Sequence, residues 1–191
     1  MSNILQRVNK GMGLITEIMD MLSRVSFGSN YFEIAVTLRE SRLLNGILTN
    51  ADVWYALKKS EIEELEEVDK ILLRRILGAP DSTCIESLYL KLGVVPIKVI
   101  LMARRVMYLH YLVTLNPDQM LYKFFTAQWK KPIKDDWIEE VKKNLNELDI
   151  DMTLDDMKLK SNNSFKRIVK INLKLIVFSE MLQIFTFLYC I

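Results

Sequence analysis

The sequence predicts an all-α chain, a compact bundle of about eight helices. Glycine and proline are scarce, 6 and 4 in 191 residues, and they fall between segments rather than inside them. Within the segments, apolar residues recur at helical spacing and not with the alternation of a half-buried strand. Capping sequences and glycine stops bracket several of them. With 50% of its residues hydrophobic, the chain can bury a sizeable core.

Taken in order, Ile4 to Arg24 and Tyr31 to Thr49 read as helices on either side of a break at Gly28. The next begins at Ser60, where Glu63 completes an S-x-x-E capping box, and stops at Gly78 before Pro80. A second box, Thr83 with Glu86, opens a short helix that ends at Gly93. Pro96 suits the first turn of a long helix that runs to Asn116-Pro117. Asp118 to Trp129, Asp135 to Leu148, a short turn near Leu154, and Ser164 onward complete the set. No repeat or low-complexity linker divides the chain, so residues 1–170 read as one helical domain, followed by an apolar helix over 171–191.

Two helices carry charge in apolar stripes. After Ser60, Ile62, Leu65, Leu72, Leu73 and Ile76 share a face, and Asp69 falls in its middle. The helix after Pro96 is apolar nearly all round, with Lys98 and Arg105 projecting between its stripes. Because a buried ion requires a partner or a route to water, the expectation is an ion pair of Asp69 with Lys98 or Arg105.

Several chemistries find no support. Cys84 and Cys190 lie far apart and His110 is the only histidine, which excludes a tetrahedral zinc site and a disulfide scaffold. No Ser/His/Asp or Cys/His set surrounds His110, which reads as a packing or solvated residue. Gly11 and Gly13 are not followed by the Lys-Ser/Thr of a phosphate loop. The paired acids Asp135-Asp136 and Asp155-Asp156 read as first-turn carboxylates favoured by the helix dipole, not as metal ligands. No metal, cofactor or catalytic residue is therefore expected. The opening run is interrupted by Gln6, Arg7, Lys10, Glu17 and Asp20 and lacks a small-residue cleavage pattern, which points to an intracellular protein, in nucleus or cytoplasm.

With 26 Lys+Arg against 24 Asp+Glu, the net charge of +2 demands no polyanionic partner, and any nucleic-acid surface must be local. The basic pairs Arg74-Arg75, Arg104-Arg105 and Lys130-Lys131, with Arg39 and Arg42 one turn apart, are candidates for phosphate contact, and solvated faces explain them equally well.

The runs Phe27 to Leu57, Leu72 to Lys98, Arg104 to Val113 and Phe124 to Trp137, in that order, resemble the region after the catalytic palm in reverse transcriptases of non-LTR (LINE-like) retrotransposons. The resemblance covers roughly Gly11 to Lys170 and rests on structural signatures. It implies a helical thumb and linker that supports template and primer, with Arg39, Arg42, Arg74, Arg75, Arg104 and Arg105 as first candidates for backbone contacts. Trp54, Tyr55 and Trp129 would be core residues rather than stacking platforms. The partner implied is an RNA/DNA hybrid or RNA, held weakly and without sequence preference. The family's metal-binding aspartates belong before this region, so the resemblance implies no polymerase activity for this chain.

The final run from Leu175, LIVFSEMLQIFTFLYCI, does not resemble the family. As a helix it spans about 25 Å, short of the roughly 30 Å of a bilayer core, and Glu180 would cost about 3 kcal/mol near its centre. It reads as a docking helix, a read-through tail or a tail anchor. The alternative function is thus a helical interaction module whose last helix meets a protein partner or a membrane.

Overall fold

The structure, a computed structural model, describes residues 3–28, 30–54, 57–131, 133–134 and 136–189, with side chains described from residue 4 to 177 within these ranges and at 179. Every regular element among the described residues is helical. The elements are α1 (Asn3–Ser23), α2 (Tyr31–Leu38), a π-helical turn (Arg39–Leu44), α3 (Asn45–Ile47), a 3-10 turn (Ala51–Val53), α4 (Lys59–Leu77), α5 (Ile85–Leu92), α6 (Ile97–Thr114), α7 (Met120–Lys130), α8 (Trp137–Glu147), α9 (Leu154–Leu159) and α10 (Asn162–Tyr189).

Caps explain most of the boundaries. Gly78 and Gly93 end α4 and α5 in the left-handed region, at φ 60° and 64°, where a Cβ would be penalised. Ala79 N–H then reaches back to the Arg74 carbonyl at 3.0 Å, and Val94 N–H to that of Tyr89 at 3.0 Å. The expected starts of these two helices need correction. The α4 cap is Lys58, whose N–H donates to the Glu61 carboxylate at 2.9 Å, so Ser60 already lies inside the helix. The α5 cap is Cys84, one residue beyond Thr83. At α8, the Asp136 carboxylate accepts from Glu139 N–H at 2.9 Å, and at α9 Asp156 closes a capping box with Thr153. Asp136 and Asp156 are thus helix-start acids, as read from the sequence; Asp135 lies outside the described residues.

The chain divides into two units, Met1–Thr49 with Leu57–Lys98, and Asn50–Ala56 with Val99–Ile191. The expected boundary between residues 170 and 171 falls inside α10.

In the first unit α1 packs along α4 and against α2, the π-helical turn and α3. Ile15, Ile18, Leu43, Ile47, Leu65 and Leu72 are buried there. Gly11 sets how closely α1 approaches α4. A Cβ at that position would lie 2.7 Å from Val68 Cγ1, closer than a methyl group can sit, and in a tight 3.0 Å contact with Ile47 Cγ2. In the second unit Val106 and Leu109 of α6, Phe125 of α7, Val141 of α8, Met157 of α9 and Phe165 of α10 meet in one core. His110 is buried in that core, stacked on Phe165 at 4.4 Å, with Nε2 at 3.1 Å from the Lys160 carbonyl. It is a packing residue.

Candidate nucleic-acid interface

The sequence candidates separate by burial. Arg39, the first residue of the π-helical turn, is 1% exposed and grips Asp69 of α4 with both arms of its fork. Nε donates to Oδ1 at 2.7 Å and Nη2 to Oδ2 at 2.6 Å; Nη2 also donates to the Val95 carbonyl at 2.9 Å. The partner of Asp69 is therefore Arg39, not the expected Lys98 or Arg105. A wheel drawn on one helix shows that Asp69 faces the core but not which helix answers it. Lys98 is exposed, and its backbone N–H donates to Glu66 Oε1 at 3.3 Å. Burial raises the Glu66 carboxyl above its usual range against the pull of that hydrogen bond. Tyr89 is also buried in this unit, which pushes its phenol well above the ordinary range, with the Asp69 charge adding to the shift.

Arg105 is 2% exposed, and its Nη1 lies 3.2 Å from Glu140 of α8. Burial lowers its guanidinium pKa and the Glu140 carboxylate opposes that shift. Arg39 and Arg105 are thus structural ion-pair members, enclosed by their own units, and both leave the set of phosphate-contact candidates. Arg74 is largely covered and pairs loosely with Glu67 at 3.8 Å. Arg74 and Arg75 sit in the last turn of α4, where cations complement the helix dipole. Arg104 is half-buried; Arg42, Lys130 and Lys131 are exposed. Trp54 and Trp129 are half-buried, in keeping with a packing role, and Tyr55 lies outside the described residues.

Around Lys130 and Lys131 the second unit assembles a lysine-rich face that spacing alone did not reveal. Tyr122 and Trp129 are seven residues apart and so share one side of α7. Lys142 of α8 sets its ammonium 4.8 Å from the Trp129 ring centre, and Lys158 of α9 sets its own 5.6 Å from that of Tyr122. The ring quadrupoles hold both ammonium groups in place. One face of each ring lies under an ammonium and is closed to a stacked base; Lys158 is exposed and Lys142 half-buried. Lys123, Lys131 and Lys143, each within two positions in sequence of one of these residues, are exposed.

A neighbouring flank of α7 borders a mostly apolar groove. Leu121, Phe124 and Gln128 line a groove of about 170 Å³ with Tyr108 and Trp137, and Trp137 Nε1 donates to the Asp52 carbonyl at 2.6 Å.

A further basic stretch lies outside the candidate pairs, although Lys166-Arg167 within it is itself an adjacent basic pair. From Met157 to Ser179 the chain contains Lys158, Lys160, Lys166, Arg167, Lys170 and Lys174 and no Asp or Glu. All are exposed. Since the chain as a whole carries only +2, the remainder is net negative. The signal was present both in the Lys166-Arg167 pair and in the long run without acids.

Among the described residues no group of three His, Cys, Asp or Glu side chains is placed to hold a metal ion, and no helix is long and apolar enough to cross a membrane. Comparison with protein families, with curated proteins and with solved structures found no match.

Proposed function

We propose that the chain is a non-catalytic thumb-and-linker-like fragment of retrotransposon reverse-transcriptase descent that supports nucleic acid by its backbone. The observation that carries this reading is the pair of cations brought to α7 from α8 and α9, with the Lys142 and Lys158 ammonium groups over Trp129 and Tyr122; Lys130 and Lys131, which follow Trp129 in sequence, are exposed. Lysine is a point charge on a flexible stem, suited to phosphate and blind to base identity. Binding is accordingly weak, salt-dependent and sequence-independent, with an RNA/DNA hybrid or RNA as partner. The reading draws on no catalytic residue.

The test is binding of the full chain to a labelled RNA/DNA hybrid over a salt series. Each phosphate contact contributes about −0.9 to the log-log slope on a B-form duplex, so Lys130→Ala with Lys131→Ala is expected to flatten the slope by about 2. Scrambling the hybrid's sequence should leave affinity unchanged. Absence of binding at low salt, or a slope that the double variant leaves unaltered, would remove this function from the lysine face.

A further inference from the structure

We infer that α10 seats the protein on an anionic lipid surface, through a face separate from the lysines of α7 to α9. At about 100° per residue, Lys166, Arg167, Lys170 and Lys174 fall within an arc of roughly 100°. The opposite flank of α10 is fixed in the core of its unit by Phe165 and Val169, both buried, and Asn172 Nδ2 donates to the Leu148 carbonyl at 2.8 Å. The cationic arc therefore faces outward, and all its members are exposed.

Directly beside that arc lie Ile171, 49% exposed, and Leu175, 62% exposed. This adjacency selects the occupant. A phosphate backbone offers isoleucine and leucine nothing, whereas an anionic bilayer offers charge to the arc and acyl chains to the aliphatic edge. The sequence continues in the same sense, for after Lys174 the run Leu175 to Ile191 contains a single charged residue, Glu180. The cationic arc and the aliphatic edge run along the same stretch of helix, the pattern of a helix that lies in the plane of the interface.

Co-sedimentation of the full chain with vesicles tests this, using phosphatidylcholine alone and phosphatidylcholine mixed with phosphatidylserine. The chain should pellet with the mixed vesicles, stay in solution with the neutral ones, and be released by a molar-salt wash. Each unit of charge near such a surface is worth roughly fivefold in partition, so Lys170→Glu with Lys174→Glu should weaken it by several hundredfold. Ile171→Ser with Leu175→Ser should weaken it at least about tenfold. Both variants alter exposed positions and should keep the helical circular dichroism and the hybrid binding of the parent, which separates this face from the lysines of α7 to α9. Failure of the parent to pellet with anionic vesicles at low salt overturns the inference. So does a charge-reversed variant that pellets like the parent, or one that loses hybrid binding while the parent ignores vesicles, since the arc would then belong to nucleic acid.

Discussion

Removing the Asp69 carboxylate should be the most damaging single change in the first unit. In Asp69→Ala the Arg39 guanidinium loses acceptors at 2.7 Å and 2.6 Å and retains the Val95 carbonyl at 2.9 Å, while its side chain stays 1% exposed. A buried charge stripped of its partner costs about 3 to 5 kcal/mol. At roughly 2 to 4 °C per kcal/mol for a chain of this size, the melting temperature falls by about 10 °C. Arg39→Met with Asp69→Leu removes both charges while keeping apolar volume and should recover stability to within about 1 kcal/mol of the parent or better. Urea denaturation followed by circular dichroism gives these differences, and a double-mutant cycle gives the coupling. The Arg39–Asp69 coupling should exceed about 2 kcal/mol and that of Asp69 with exposed Lys98 should stay below about 0.5 kcal/mol. An Asp69→Ala cost below about 1 kcal/mol, or a larger coupling to Lys98, would refute the assignment.

Three further changes probe other parts of the same unit. Gly11→Val forces branched carbon into the space held by Val68 and Ile47 and should cost about 1 to 3 kcal/mol in the same urea assay, whereas Gly13→Ala in the same helix, whose Cβ meets nothing, should stabilise by up to about 1 kcal/mol. The Tyr89 hydroxyl is buried with no hydrogen-bond partner among the described residues, so Tyr89→Phe should be neutral or stabilising by up to about 1 kcal/mol. Burial raises the Glu66 carboxyl, so between its unfolded and folded values the native state holds more protons than the unfolded one. Stability should therefore fall as pH rises through the window above the ordinary carboxylate range, and Glu66→Gln should abolish that fall in thermal melts recorded across pH 4 to 7.

Helix positions were legible because they depend on local chemistry. The left-handed glycines 78 and 93, and the acids at 136 and 156, act within a turn of where they stand, and spacing shows them. The helix starts at Lys58 and Cys84 were misread by one or two residues because neither is a favoured cap type. At Lys58 it is the Glu61 carboxylate that satisfies the backbone N–H, so the acid and not the hydroxyl residue marks the start. The lysine face was illegible for a different reason. Lys142 and Lys158 reach Trp129 and Tyr122 from other helices, and no single-helix wheel registers a cation supplied across a helix pair.

The Arg39 pairing has the same origin, with one addition that the sequence does hold. Tyr31, Ala35, Arg39, Leu43 and Ile47 are all buried, at a strict spacing of four. In a regular α-helix each such step drifts by about 40°, so five residues in that register would swing away from any one neighbour. The segment keeps them on one side by widening at Arg39–Leu44 into a π-helical turn, whose larger repeat offsets the drift. A run of four-residue spacing through a helix is thus a readable sign of a local π turn, and the charged residue within that run is the one destined for the core. Read this way, Arg39 would have been moved from the phosphate-contact candidates to the interior, and the partner sought for Asp69 would have been the one cation on that buried row.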